Sequence, residues 1–279
     1  SEELNGAGFL YYRLCVAGMT LQGRTADGQL GRRPAPRGPG NHHIGREITG
    51  RELVAGGPLG QEKVGMLLAA DRDLRVLVVE YLPGVLVEGT DAELDPEVHR
   101  QAGALLAAIH ATPLLPGMTA PDPDVLTAKA LAYLDSDHRI GPGTVAEVRR
   151  ILKGLAAASG AAAPDPVQDT TAGVLTHGDW QPRNWLIDDG VVRVIDFGRC
   201  EVRSAESDLG RLAVQQWRGR PDLEDAFLDG YGSDPRDPRT WPLNQLREAV
   251  GTAVWAYGVG DEAFEQQGHR MLADALAAF

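Results

Sequence analysis

Apolar and polar positions repeat along the chain with two different periods, and the change between them falls near residue 83. Before that point the apolar residues come in short runs. Residues 11–33 read as short strands, with "TADG" at 25–28 as a hairpin turn, because an Asp-Gly pair suits positive backbone φ. "RVLVVEYL", residues 75–82, reads as another strand, stopped by Pro83-Gly84. Beyond it the spacing is helical. Asp95 and Pro96 look like an N-cap and first helical residue, followed by Val98, Ala102, Leu105, Leu106 and Ile109 on one face. Thr144 and Glu147 fit a capping box ahead of a stripe of Val145, Val148, Ile151, Leu152 and Leu155. Further helices are expected at 124–135, 205–218, 221–231, 242–258 and 261–278, the last with Phe264, Met271, Leu272 and Ala275 on its apolar face. Residues 31–60, with eight Gly, four Pro and five Arg, break both periods and read first as a surface loop. The Ala-rich 156–163 reads as a helix end entering a linker.

One return to strand spacing carries chemistry. In "VLTHGDWQPRNWLIDDGVVRVIDFGR", residues 174–199, a short apolar run leads into His177-Gly178-Asp179. Trp185-Leu186-Ile187 then lead into the turn signal Asp188-Asp189-Gly190, and Val191–Ile195 run up to Asp196. A loop, a hairpin and a second loop would hold Asp179, Asn184 and Asp196 at one edge of a small sheet. Phosphoryl transfer needs that set: a carboxylate to orient the attacking hydroxyl and accept its proton, and oxygen ligands to hold magnesium against nucleotide phosphates. Asp179 can serve as the base, and Asn184 and Asp196 can hold the metal, since magnesium keeps several waters and needs no Cys or His cage. As isolated turn aspartates, Asp179 and Asp196 would be unremarkable; Asn184 and the proline in register argue for a site. Asp188 and Asp189 read as a solvated hairpin tip.

Composition narrows the partner. The chain has 279 residues, 39 acidic and 27 basic side chains, a formal net charge of -12 and a pI near 5.0. That balance argues against a nucleic-acid backbone binder and favours a small, cationic substrate. Cys15 and Cys200 are the only cysteines, too far apart in sequence to indicate a disulfide framework or a Cys-rich zinc site. With no leader-like start and no apolar run approaching the roughly 18 residues of a span, a cytoplasmic protein without membrane partners is expected.

"HGDWQPRN" followed by "VIDFG" resembles the catalytic and metal-binding motifs of the aminoglycoside phosphotransferase family, small-molecule kinases that share the protein-kinase-like fold. "SDLGRL", 207–212, falls where that family has a further buttressing aspartate, and the resemblance extends over residues 67–279. It implies an α+β, protein-kinase-like two-lobed fold. A small β-rich N-terminal nucleotide-binding lobe would span 1–82, with 31–65 irregular, and a large, mainly helical catalytic and substrate-binding lobe 83–279. It further implies ATP, or alternatively GTP, with Mg²⁺; Asp179 as the base; Asn184 and Asp196 as metal ligands; and Glu80, Tyr81 and Leu82 as the hinge backbone that binds the adenine edge. His177 would shape the loop and Asp208 would be structural. The family's helical subdomain supplies carboxylates for amino sugars, which makes Asp261, Glu262 and Glu265 candidates, although acid at a helix start also follows from the macrodipole. Trp255 and Tyr257 could stack on a sugar, but core packing is the expectation. His42 and His43 have no ligand partners at metal spacing and read as loop residues.

The departures are in the small lobe. Such kinases carry a strand-three lysine that contacts the α and β phosphates and a helix glutamate that pairs with it. After "TADGQL" this chain has Gly31-Arg32-Arg33-Pro34, and its three lysines, Lys63, Lys129 and Lys153, are elsewhere. Arg32 or Arg33 could supply charge without being equivalent to lysine; Glu47 and Glu52 are the candidate glutamates. The expected activity is ATP/Mg-dependent O-phosphorylation of a small molecule, an aminoglycoside or amino sugar first. The alternatives are a kinase of another metabolite or antibiotic (choline, a fructosamine, homoserine, a macrolide, a nucleoside) and a pseudokinase without the phosphate-binding lysine.

Overall fold

The computed structural model describes residues 43–74, 76–154 and 173–279, and the backbone alone of 12–16, 19–23, 31–34 and 155–159. The turn expected at 25–28 lies outside these residues. Strands β1 (Tyr12–Val16), β2 (Met19–Gly23) and β3 (Gly31–Pro34) precede helices α1 (His43–Val54) and α2 (Gln61–Val64). Strands β4 (Leu67–Asp71), β5 (Val76–Glu80) and β6 (Val85–Leu86) follow, then helices α3 (Pro96–His110), α4 (Pro123–Tyr133) and α5 (Pro142–Ser159). Next come β7 (Val174–Thr176), β8 (Trp185–Asp188), β9 (Val191–Val194) and β10 (Glu201–Arg203), and then α6 (Gly210–Val214), α7 (Pro221–Tyr231), α8 (Trp241–Val259) and α9 (Glu262–Leu276). Among the described residues no helix is long and apolar enough to cross a membrane.

The chain divides into two compact units, one of Ser1–Met118, Val174–Glu201 and Arg211–Asp234, the other of Thr119–Gly173, Val202–Gly210 and Pro235–Phe279. The first is built on an antiparallel sheet in the order β3-β2-β1-β5-β4. Within the stretch read as a loop, residues 31–34 are therefore strand and 43–54 helix. Gly31–Pro34 pair with β2, Arg32 opposite Leu21 and Arg33 opposite Thr20, and "HIGREITGRELV" is helix. Ile44 and Ile48, one turn apart, bury against Leu77 and Val79 of β5 with Leu67 alongside, and that burial outweighs two helix glycines at about 1 kcal/mol each.

Asp95 caps α3 as expected, its carboxylate accepting the Glu97 amide at 2.9 Å with Pro96 in the first turn. The predicted stripe of α3 is buried, and Gly103 lets the helix lie against α7, where a Cβ would collide with the Phe227 carbonyl. A second sheet, β6-β8-β9, carries the predicted hairpin.

The second unit centres on α8 and α9, which bury Leu246, Ala249, Val250, Met271 and Leu272. Helix α5 begins at Pro142, so Thr144 lies inside its first turn rather than at the cap, and Glu147 binds Arg150 at 2.6 and 2.9 Å. The helix expected at 205–218 is instead a 3₁₀ turn, Ala205–Asp208, followed by the short α6. Glu206 is 2% exposed and accepts from the Asp237 amide (2.9 Å), the Thr240 hydroxyl (2.9 Å) and the Asn244 amide. This acid serves the start of α8 instead of facing solvent on a continuous helix.

Candidate active site

Strand β7 delivers the first loop. Thr176 donates its hydroxyl to the Glu201 carbonyl at 2.7 Å, and His177 behind it is fully buried. Gly178 has φ +77°, and a Cβ there would collide with the Arg199 carbonyl, so this position admits only glycine between the buried His177 and Asp179. The chain then tightens into a 3₁₀ turn, Pro182–Asn184, which brings Asn184 back onto the aspartate. Its Nδ2 donates to the Asp179 carbonyl at 2.8 Å and to Oδ2 at 3.2 Å.

The hairpin delivers the second loop. Trp185 pairs with Val194 and Asp188 with Val191, and the tip is made by Asp189 (φ +48°) and Gly190 (φ +73°). The returning strand is fastened to the first loop: the Ile195 amide donates to the Asn184 carbonyl at 3.0 Å, and His177 Nε2 lies 3.1 Å from the Ile195 carbonyl. Asp196 follows with φ +68°, a left-handed conformation uncommon for a non-glycine residue, and accepts the Gly198 amide on Oδ1 at 3.2 Å. The His177 ring packs against Trp180 (5.3 Å) and Phe197 (5.0 Å).

Helix α1 supports the second loop. His43 Nδ1 lies 2.9 Å from the Gly198 carbonyl, which gives this histidine a helical and structural place. Of the two candidate glutamates, Glu52 is exposed and pairs with Arg72 at 2.7 Å, whereas Glu47 is buried and accepts from Arg51 Nε at 2.7 Å. Arg51 also donates to the Val64 carbonyl at 2.5 Å and the Gly65 carbonyl at 3.1 Å, and its guanidinium sits 5.4 Å from the centre of the Phe197 ring. The glutamate thus has an arginine partner from its own helix.

The electrostatics centre on Asp179, which is 5% exposed. Oδ1 accepts from Gln181 Nε2 at 2.5 Å and faces Arg211 Nε at 3.3 Å; Oδ2 accepts from Arg183 at 2.6 Å and from Asn184. Burial pushes this carboxyl up, but the charges of Arg211, Arg183 and Arg199 outweigh it and hold the group below the ordinary carboxylate range. Asp179 is thus ionised, and better suited to orienting a hydroxyl than to removing its proton early.

The donor set suits magnesium. With Asn184 Nδ2 committed to Asp179, the amide turns its oxygen elsewhere, and Asp196 keeps one carboxylate oxygen beyond the one on Gly198. One amide oxygen and one carboxylate are the hard ligands this ion takes alongside waters and phosphates.

The other sequence candidates lie as follows. Glu80 ends β5 and pairs with Met66 through its backbone amide (2.8 Å) and its carboxylate (3.3 Å), while Tyr81 is half-buried and Leu82 buried. Asp208 is buried in the second unit. Asp261 caps α9 through the Phe264 amide at 3.0 Å, Glu262 is exposed, and Glu265 is buried beside Arg139 (3.3 Å) and His269 (3.6 Å). Trp255 is not core: it is 51% exposed, edge-on to Phe264, while Tyr257 lies under the Arg139 guanidinium. Sequence reasoning missed Arg183, Arg211 and Arg51. Arg183 sits inside the motif, four residues after Asp179, where a tight turn would bring it back; Arg211 has no local signal.

A five-stranded sheet, paired loops and a mainly helical remainder make an α+β, protein-kinase-like two-lobed fold. The model of the phosphotransferase enzyme family (APH) matches residues 32–242, and the chain belongs to that family. Choline kinase LicA from Streptococcus pneumoniae is similar in structure, with a TM-score of 0.65 at 16% identity over 100% of this chain and 93% of that one. The macrolide 2'-phosphotransferase MphH from Brachybacterium faecium gives 0.55 at 17% over 93% and 91%. The GDP complex of aminoglycoside 2'-phosphotransferase-IIIa gives 0.57 at 15% over 98% and 91%. No curated protein matches in sequence.

Proposed function

We propose that this phosphotransferase is an ATP- and magnesium-dependent kinase that phosphorylates a hydroxyl of a small cationic molecule, an aminoglycoside or amino sugar first. The observation that carries the reading is the pair of loops fastened through Ile195, with Asp179 and Asn184 on one and Asp196 on the other. When bound, magnesium on Asn184 and Asp196 would neutralise phosphate charge. Asp179 orients the acceptor. The hydroxyl oxygen bonds to the γ-phosphorus, the bond from that phosphorus to the β,γ-bridging oxygen breaks, ADP leaves, and the hydroxyl proton passes to the Asp179 carboxylate. We assign Glu80, Tyr81 and Leu82 to the adenine edge and keep the lobe boundary after Leu82.

The net charge of -12 supports a cationic acceptor through long-range steering. Likenesses of similar extent to choline kinase and to macrolide and aminoglycoside phosphotransferases keep a second reading open, a kinase of another small metabolite or antibiotic. The GDP bound to one of these neighbours likewise keeps GTP as an alternative donor. The test is transfer of labelled phosphate from ATP, and from GTP, to a panel of aminoglycosides, choline and macrolides. Labelling of an amino sugar that is lost in Asp179→Asn supports the first reading, labelling of choline or a macrolide alone supports the second, and labelling of none contradicts both.

A further inference from the structure

The chain is acidic overall, yet its candidate base is surrounded by cations. Arg183 and Arg211 pair with opposite oxygens of Asp179, and Arg199 adds to the same field. One carboxylate does not need so much positive charge. A transferring phosphoryl group does, and Gly31–Pro34, which follow "TADGQL" where the resembled family has its lysine, form an edge strand among the described residues: β1, not β3, pairs with β5.

The two pairing arginines differ in exposure. Arg211 Nε faces Oδ1 at 3.3 Å with a side chain 25% exposed, whereas Arg183 reaches Oδ2 at 2.6 Å from a side chain 43% exposed, against 7% for the carboxylate. Oδ1 is already covered by Gln181. A hydroxyl approaching the carboxylate from solvent therefore meets Arg183 first, and the two compete for Oδ2.

We propose that Arg183 is a phosphoryl-binding residue. It leaves Oδ2 as the triphosphate binds, donates to a non-bridging oxygen of the γ-phosphoryl group, and so frees Oδ2 for the acceptor hydroxyl. This rests on the phosphotransferase reading above. Guanidinium is suited to such an exchange, since its fork of donors matches phosphate as well as carboxylate and it stays charged throughout. The same contact persists as the γ-phosphorus moves from the bridging oxygen of ADP to the acceptor oxygen, while the hydroxyl proton goes to the vacated Oδ2. Before the triphosphate binds, Arg183 keeps the buried aspartate compensated.

The test compares affinity for MgADP with that for magnesium β,γ-imido-ATP by calorimetry, in wild type, Arg183→Gln and Arg183→Lys, with thermal melting to verify folding. The wild type should prefer the triphosphate by about tenfold, the contribution of one charge-assisted hydrogen bond. Arg183→Gln should bind MgADP as the wild type does but lose the preference, and Arg183→Lys should recover part of it. An unchanged preference in Arg183→Gln, or none in the wild type, would overturn the proposal and leave the Asp179 pair as a structural contact. Wild type that binds neither nucleotide would instead remove the phosphotransferase reading itself, and the proposal with it.

Discussion

The pair Glu47–Arg51 provides a quantitative test of how helix α1 supports the loop that carries Asp196 and Phe197. The side chains are 11% and 3% exposed, and besides Glu47 the arginine has two carbonyl partners and the Phe197 ring. Arg51→Met keeps the stem on Phe197 but strands a buried carboxylate and two carbonyls; Glu47→Leu strands a buried guanidinium that retains only the carbonyls and the Phe197 ring. Each single change should cost roughly 3 kcal/mol, the lower end for breaking a buried pair from one side. The double variant strands no charge and leaves only two carbonyls unpaired, at about 1 kcal/mol or more each. It should therefore cost no more than either single change, near 3 kcal/mol rather than 6, a coupling of about 3 kcal/mol. Urea unfolding followed by far-UV circular dichroism measures all four proteins. Additive losses, or single losses below about 1 kcal/mol, would show that the pair is solvated rather than buried.

Three further outcomes follow from the site and its surroundings. Gly178→Ala should destabilise the protein by about 2 kcal/mol or more and abolish binding of magnesium-nucleotide, because φ +77° and the Arg199 carbonyl both oppose a Cβ; wild-type melting and binding would contradict this. Asp179 has its pKa depressed by arginines despite burial, so its ionic contribution is complete above the ordinary carboxylate value and is lost as pH falls through the lowered one. The stability difference between wild type and Asp179→Asn should thus be flat from pH 8 to about 5 and shrink only in stronger acid; a change across neutral pH refutes the assignment. Burial lowers the pKa of His99, whose Nδ1 accepts from Trp217 Nε1 at 3.2 Å and whose Nε2 lies 3.0 Å from the Glu93 carbonyl, so the folded ring is neutral. The unfolded chain takes up a proton that the folded ring excludes, so stability should fall as pH drops below about 6.5, and His99→Gln should remove that slope in urea titrations between pH 7 and 5.

Local patterns in the sequence account for much of this fold. Helix α7 occupies the residues its periodicity predicts, Asp95-Pro96 start α3, and the hairpin turns at Asp189-Gly190, because each signal lies within a few residues of the structure it specifies. Asp179 and Asn184 were legible for the same reason, five residues apart on one turn. Helix α1 was not. Its stripe mixes Ile44 and Ile48 with the buried Glu47 and Arg51, so the core face is half charged and the amphipathic pattern disappears among glycines and arginines. The helix expected at 205–218 failed in the opposite direction, because Glu206 within it is held by partners 31 to 38 residues away. Arg211 reaches Asp179 from α6, and no local spacing announces a pairing that only the tertiary fold creates.

The central claim is a magnesium-nucleotide site built on Asn184 and Asp196 beside Asp179. Calorimetric titration of ATP into the wild type and Asp196→Ala, each with magnesium and with EDTA, addresses it most directly. The account predicts magnesium-dependent binding by the wild type, weakened at least about tenfold, or ~1.4 kcal/mol, in the variant. No binding by the wild type at millimolar nucleotide, or binding indifferent to both magnesium and Asp196, would contradict it.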